Sequence, residues 1–598
     1  MRITRVLIEN FRSIKRLEFY PTDICVLVGE NNAGKTNILA ALNLLLGETW
    51  PSRRVLEAFD YYNHDTSEAI HIEVEFAENE HNIHSVWCTI PWDGQGEVKA
   101  VYRSTWGGLS QYNLSTKTRE QCALVYLDAN RHLDYHLGSS RWTLFGRIIR
   151  QLDAHFQAHV TPEQKQGLID CFNQARKLLK TGLYSEFEET FKAAFRDQLK
   201  RTTHTIELDF CTFDPLSYYR SIQPLLREDG RSKSPSEAGQ GMRNLILVAL
   251  FRTYATVFKG QAMISIEEPE TYLHPHAQRS LATLFDELAR AGSQIFYPTH
   301  SASFIQIEHF DRVCLVEKRC DSSGELSTQV RQVAAHELLD TRQRLYPHMP
   351  MSESGLRERY RNICDLEHNE AFFARKIVLV EGETEEYAFP IYAKALGDDY
   401  DADGISVVNA HGKHNLDQFY QLYTAFGIPV YLIFDNDRGG QSSDLAHNEV
   451  LLRMLGQPAS KEPAAVVADT FAIVDRNFEE TVKSALDAIE AGKYQTLNQE
   501  AAEQLGGKAG RGLVARFMAK RLVQEHCTPT FIAEIAEAIR PLGANPDQHS
   551  RPLGSLPQDE GPLMETMKVH DVRELVAAIA RIGKHTKLSS QQVCRWRP

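Results

Sequence analysis

Paired cysteines are missing from this chain. Its ten cysteines are scattered, with no C-x-x-C pair among them, which argues against zinc ligation and a disulfide framework alike. Long apolar runs are missing too. No stretch of about 18 apolar residues offers a membrane span. The opening MRITRVLIENFRSI carries charges inside its apolar stretch, so it does not read as a secretory signal, and the expected compartment is the cytoplasm. Positive charge is in short supply: 66 Lys and Arg stand against 79 Asp and Glu, for a net charge of −13. That argues against a uniformly basic nucleic-acid binder but leaves room for a local basic groove, because phosphate contacts need only a patch. There is no internal repeat and no recognisable DNA-reading helix, so sequence-specific DNA recognition has no support. What is present is a soluble globular composition, 42% hydrophobic and 24% charged over 598 residues. That length is enough for several domains, each with its own core.

The most specific feature is Gly29 to Thr36, GENNAGKT, which fits the phosphate-binding pattern G-x-x-x-x-G-K-[ST]. Its flanks agree with the motif. Ile24, Val26, Leu27 and Val28 read as a buried strand, and Ile38, Leu39, Leu42, Leu45 and Leu46 share one helical face that ends at Gly47. Backbone N–H groups of the turn and the positive helix terminus can cradle phosphates. Gly29, Asn31, Asn32, Gly34, Lys35, Thr36 and Asn37 are therefore candidate nucleotide contacts. Lys35 would reach the outer phosphates and the Thr36 hydroxyl would sit on magnesium.

Downstream, Ile70, Ile72, Val74 and Phe76 alternate with His71, Glu73 and Glu75, the pattern of a half-buried antiparallel strand. Val86 to Ile90 and Val98 to Arg103 continue that sheet, and Ala123 to Leu127 makes another strand. A helical region from about 144 to 200 reads either as a solvated excursion or as an inserted arm used in dimer contacts, the second being preferred. Ser236, Gly239 and Gln240 then open a helix beginning near Met242. About twenty residues later, Met263 to Ile266 is an apolar strand ending in Glu267 and Glu268. Glu267 would hold magnesium and Glu268 would orient or deprotonate the attacking water. His300, after the apolar segment Ile295 to Tyr297, suits sensing of the γ-phosphate.

Four elements in this order, across residues 1 to about 316, resemble the ABC-type ATPases of the RecF, SMC and Rad50 kind, whose ATPase fold is split by an insertion. The resemblance implies an α/β ATPase domain, residues 1–328, with a helical insertion. It also implies a head-to-head dimer in which Ser236, Gly239 and Gln240 face ATP bound by the other subunit. The Q-loop glutamine of that family has no clear counterpart.

Residues 329–370 are charged and Arg-rich and read as a linker with short helices. A second α/β unit, 371–598, follows. The strand ending at Val380 delivers Glu381, and a helix from about Thr384 places Glu385 one turn further on. The strand Pro429 to Phe434 ends in Asp435-Asn436-Asp437 about fifty residues later. Residues two apart in an extended segment share a face, and open α/β sheets gather ligands at strand C-termini. Crowded carboxylates repel unless a cation compensates, and oxygen ligands suit Mg2+ or Mn2+. An isolated D-x-D is most often a surface turn; paired with E-G-E-T-E at another strand end it is far more informative. The arrangement resembles the Toprim domain of topoisomerases, primases and some nucleases.

An ABC-type ATPase fused to a Toprim domain is the plan of the OLD (overcoming lysogenization defect) nucleases. The chain is similar to their class 2, which is related to the nuclease subunit of Gabija anti-phage systems. The resemblance implies DNA cleavage by two metal ions. Glu381 and Glu385 match the first acidic pair, Asp435 and Asp437 the D-x-D, and Glu479 or Glu480 a further acidic ligand, with Glu479 preferred. A late catalytic lysine is expected at Lys508, with Lys568 an alternative. Residues 541–558 read as an irregular loop and Val569 to Ile582 as a last amphipathic helix. The expected function is an ATP-regulated DNA endonuclease acting as a homodimer or higher oligomer, with a helicase as a possible partner and no membrane. The alternative is an ATP-driven DNA-binding clamp or repair adaptor without cleavage, and plasmid cleavage discriminates the two.

Overall fold

A computed structural model describes residues 1–542 apart from 93–95, 106–108, 130–132, 199–213, 223, 229–230, 259–261, 321–323 and 507–509. Lys508, Lys568, the loop to 558 (from 543 onward) and the expected helix Val569 to Ile582 fall outside the described residues.

Among the described residues, three sheets of five or six strands form the framework, beside a two-stranded ribbon. The first is antiparallel, in the order Ile14–Phe19, Ile3–Phe11, Ile70–Phe76, Ile83–Ile90, Lys99–Ser104, Ser110–Asn113. Ile70–Phe76 buries every second residue, as its alternation requires. The second sheet runs Leu326–Arg331, Val313–Cys320, Ile24–Val28, Gln294–Pro298, Met263–Ile266, Leu124–Leu127, and all its pairings are parallel except the first. Ile24–Val28 is buried throughout, because a central parallel strand is covered on both faces. It leads through the phosphate loop into the helix Lys35–Leu46, whose buried face includes Ile38, Leu39, Leu42, Leu45 and Leu46. These side chains join the first sheet's inner face in one core.

The region from 144 onward forms three helices, Leu144–His159, Pro162–Leu179 and Gly182–Gln198. The first buries Leu144, Ile148 and Ile149, whereas the second has no buried residue.

Residues 335–370 make a packed helical layer: Ala335–Leu345, Glu353–Ile363 and Leu366–Glu370. Leu338, Leu345, Leu356 and Tyr360 are buried there. On one side Arg357 pairs with Asp311 at 2.7 Å. On the other, the Tyr346 hydroxyl donates to Asp417 Oδ2 at 3.1 Å and the Tyr360 hydroxyl to the Gln418 carbonyl at 3.2 Å. The composition suggested a linker because charged residues fill the outer faces; the few apolar ones fall at helical spacing and do the packing.

The third sheet runs Ile405–Asn409, Lys376–Val380, Val430–Asp435, Phe471–Val474, Val466–Val467, parallel except for the last short edge strand. Its helices include Glu383–Ala395, Phe478–Ile489 and Arg511–Gln524. Gly512 allows the first and last of these to approach: a Cβ there would lie 2.5 Å from the Tyr387 ring.

Candidate functional site

Two constellations form, each at the C-terminal ends of parallel strands. In the first, the phosphate loop leaves Ile24–Val28 at Gly29, whose φ of +139° and approach to the Val316 carbonyl exclude a side chain. Lys35 is buried, and its Nζ donates to the carbonyls of Gly29 and Glu30 at 2.7 and 2.8 Å. Burial pushes its ammonium down to about 8, against the pull of Glu268, Glu270 and Glu30. Asn31, Asn32 and Thr36 are exposed at the loop's mouth. Asn37 Nδ2 donates to Ser13 Oγ at 2.7 Å, and Thr328 Oγ1 donates to the Ala33 carbonyl at 2.8 Å. Those two contacts brace the loop from behind.

From the neighbouring strands, Glu267 accepts from the Tyr126 hydroxyl at 2.5 Å and from the Ala129 N–H at 3.0 Å. Glu268 adopts a left-handed φ of 40° and accepts from Thr271 Oγ1 at 3.2 Å. His300 sits close enough to Lys35 and Glu268 for both to act on its ring, and burial together with Lys35 lowers its basicity. Its backbone N–H donates to Glu270 Oε1 at 2.6 Å. Glu270, whose carboxyl burial raises, was not anticipated; the third acid of E-E-P-E was its only signal. Gly239 and Gln240 lie at the start of the helix Gln240–Phe258, tied to the segment after Glu268 by Asn244 Nδ2 donating to the Thr271 carbonyl at 2.5 Å. Ser236 lies in the turn Pro235–Glu237.

The second constellation gathers acids at the ends of Lys376–Val380 and Val430–Asp435. Asp435 and Glu385 are buried, and Oε2 of Glu381 is buried without a hydrogen-bond partner. Burial, reinforced by neighbouring carboxylates, pushes Glu381 up to about 7 and Glu385 up to about 8. Asp435 is driven well above its ordinary range by burial and then by Glu385, Glu381 and Asp437. Glu479 accepts from Thr384 Oγ1 at 3.2 Å and adds to the field at Glu385. Glu480 instead lies 3.8 Å from Lys483 on its own helix. Asp437, with φ 50°, turns its carboxylate to Lys413.

Lys413 and Asn436 were not foreseen. Lys413 is buried, and its Nζ donates to the Asp435 carbonyl at 2.5 Å and to Asp437 Oδ2. Asn436 is fully buried. Its Oδ1 accepts from the N–H groups of Arg438 and Arg476 at 3.1 and 2.7 Å, and its Nδ2 donates to the Pro463 carbonyl and Asp475 Oδ1 at 3.0 and 3.1 Å. The middle residue of D-x-D thus locks the loop while the outer two face the cluster. A cavity of about 170 Å³ opens beside Glu479 and Thr384, with Arg511 on its wall.

A phosphate loop with a strand-end acidic pair, followed by a parallel sheet with a carboxylate cluster, defines an ATPase joined to a Toprim domain. A family model described as an AAA ATPase domain matches residues 1–222 and 148–305, and one described as the TOPRIM domain of overcoming lysogenization defect-like proteins matches 372–437. The OLD nuclease of Thermus scotoductus is 29% identical over 73% of this chain and 82% of its own length. The Old nuclease of Escherichia phage P2 is 27% identical over 73% of this chain and 77% of its own. The endonuclease GajA of Bacillus cereus is 21% identical over 73% of this chain and 75% of its own. The chain thus carries an AAA ATPase domain ahead of an OLD-like Toprim domain and is similar to the OLD nucleases over most of its length. Nucleotide and divalent-metal use follow from those two domains. Among the described residues no helix is long and apolar enough to cross a membrane.

Proposed function

We propose that this protein is an ATP-regulated, metal-dependent DNA endonuclease of the class 2 OLD type, working in the cytoplasm, with phage defence or DNA repair as its setting. The observation that carries the reading is the convergence of Glu381, Glu385, Asp435, Asp437 and Glu479 on one partly buried patch. The residues fit a hard divalent pair: they offer carboxylate oxygens, one of them buried without a partner, and the carboxyls of Glu381, Glu385 and Asp435 are raised by burial and by a crowding that a cation would relieve.

Glu381, Glu385, Asp435, Asp437 and Glu479 would hold the metals, Mg2+ or Mn2+, and Glu480 is the weaker candidate because it turns toward Lys483. Two such ions, when bound, supply Lewis-acid stabilisation at both the attacking and leaving oxygens of a phosphodiester. The chain's own part is orientation. Asn436 holds the D-x-D backbone, and Lys413 keeps Asp437 turned inward. Lys508 remains the candidate lysine for stabilising charge at the scissile phosphate. In the ATPase domain, Lys35 would hold the outer phosphates, Thr36 and Glu267 the magnesium, Glu268 the attacking water, and His300 would contact the γ-phosphate.

Pairing of two ATPase domains across Ser236, Gly239 and Gln240 accounts for ATP control. The exposed Leu178, Leu179 and Leu183, 82%, 60% and 76% accessible, support dimer contacts through the helical arm. A helicase partner fits the same reading.

The test is plasmid cleavage by the purified full-length protein with Mg2+ or Mn2+, with and without ATP. Nicked or linear product that depends on the metal is expected. A protein that binds metal yet leaves plasmid intact under every condition is a clamp, not a nuclease.

A further inference from the structure

A third cluster lies where the helical layer meets the Toprim domain. One ligand atom each from Asp365, His368 and His411 lie within 4.8 Å of one another. We propose that these three residues bind a divalent transition-metal ion of the zinc class, at a site distinct from the carboxylate cluster.

The argument starts at His368, which is 1% exposed. Its Nε2 donates to the Asn409 carbonyl at 2.9 Å, so in the neutral ring Nδ1 carries the lone pair. That lone pair faces Asp365 Oδ1 at 2.7 Å. Two acceptors so close repel unless a cation joins them. The Asp365 N–H, 3.1 Å from Nδ1, is the one donor at that lone pair, and an ion bound there would replace it. A proton on this ring would serve, but burial makes a charged imidazole costly.

Asp365 is held in place as the cap of Leu366–Glu370, Oδ1 accepting from the N–H groups of Glu367 and His368 at 2.9 and 3.2 Å. Its Oδ2 lies 2.9 Å from His411 Nε2, and both of those side chains are about half exposed, 45% and 47%. An ion can therefore enter from solvent. Two imidazoles and one carboxylate suit Zn2+, Co2+ or Ni2+ rather than Mg2+, with water completing the coordination.

The site's position gives it a role. His411 stands two residues before Lys413, which grips Asp437 and the Asp435 carbonyl. From the same short helix, Asn369 Nδ2 donates to the carbonyls of Ala302 and Ile305, at 3.2 and 2.7 Å, just beyond His300. A bound ion braces the joint between the nucleotide-facing loop and the D-x-D loop.

The experiment uses full-length protein carrying Glu381→Gln and Asp435→Asn, so that the carboxylate cluster is weakened, purified through chelator and free of nucleotide. Co2+ alone is titrated in and read by its visible absorption. One equivalent is expected to bind, to be displaced by Zn2+, and to be lost when His411→Ala is added. Absence of Co2+ absorption in the parent would mean a hydrogen-bonded network only, and binding unchanged by His411→Ala would place the ion elsewhere; either result overturns the site. Should His411→Ala fail to fold, as judged by its melting transition in chelator, His411→Gln keeps the side chain's bulk and hydrogen bond and serves the same comparison.

Discussion

Asp435 is the single carboxylate at which the proposed Toprim chemistry is most directly tested. It lies at a strand end, buried, with Glu381, Glu385 and Asp437 all disfavouring its charge. Asp435→Ala should lower plasmid cleavage at least 100-fold, a loss of about 2.7 kcal/mol or more of transition-state stabilisation, while phosphate release from ATP stays near the parent rate. The metal-free variant should melt no lower than the parent, because the substitution relieves crowding. Undiminished cleavage would reduce D-x-D to a surface turn. The same crowding sets a pH dependence. Glu381 and Glu385 hold protons up to about 7 and about 8 in the folded protein, whereas in the unfolded chain a glutamate releases its proton near 4.3. Between those values the folded state carries the extra protons, so the metal-free protein loses stability as pH rises from about 4.5 through about 8. Divalent metal should flatten that fall. Melting curves in chelator and in Mn2+ across this window check it, and a metal-free form that gains stability with pH would contradict it.

At the scale of elements, the helix that carries Glu385 depends on a neighbour far along the chain. Glu383–Ala395, which carries Glu385, packs on Arg511–Gln524 through Gly512, where a Cβ would lie 2.5 Å from the Tyr387 ring and 3.0 Å from Glu383 Cβ. Gly512→Val should cost about 1–3 kcal/mol, the range for overpacking a tight contact, and should reduce cleavage because Glu385 rides on the displaced helix. Chemical denaturation and plasmid cleavage measure the two effects. Stability equal to the parent would mean the helices part freely. Such a contact is invisible to periodicity, since both helices look complete on their own and only the missing side chain at Gly512 hints at close approach.

For the whole molecule, the helical layer 335–370 ties the ATPase and Toprim parts together. Asp417 is fully buried and takes its hydrogen bond from Tyr346, so a Toprim fragment cut at residue 371 leaves that carboxylate without its donor. Unsatisfied buried polar groups cost about 1–3 kcal/mol and charged ones more. A fragment of residues 335–598 should therefore be monodisperse and melt cooperatively, whereas 371–598 should aggregate or melt lower; equal melting would assign the layer to the ATPase part alone. Direct contacts also join the parts: Arg375, ahead of the first Toprim strand, pairs with Glu30 of the phosphate loop. Both side chains are more than half exposed, so the pair orients more than it stabilises.

What the sequence alone determined was whatever depends on neighbours in the chain. The phosphate loop needs a strand, a glycine turn and a helix in succession, and GENNAGKT between two apolar patterns is that succession. Strand-end acids were legible for the same reason, because a buried apolar run must stop where charge begins. Tertiary structure decided which groups converge. Lys413 reaches Asp435 and Asp437 across 22 and 24 residues, and nothing in Gly-Lys after a strand distinguishes it from a turn lysine. Glu479 and Glu480 are adjacent in sequence, yet the helix turns one toward Thr384 and the other toward Lys483. His368 and His411 meet across 43 positions because a short helix caps itself beside a Toprim loop. Local propensity acts within a few residues; the close approach of distant side chains is set by packing, which no short window of sequence contains.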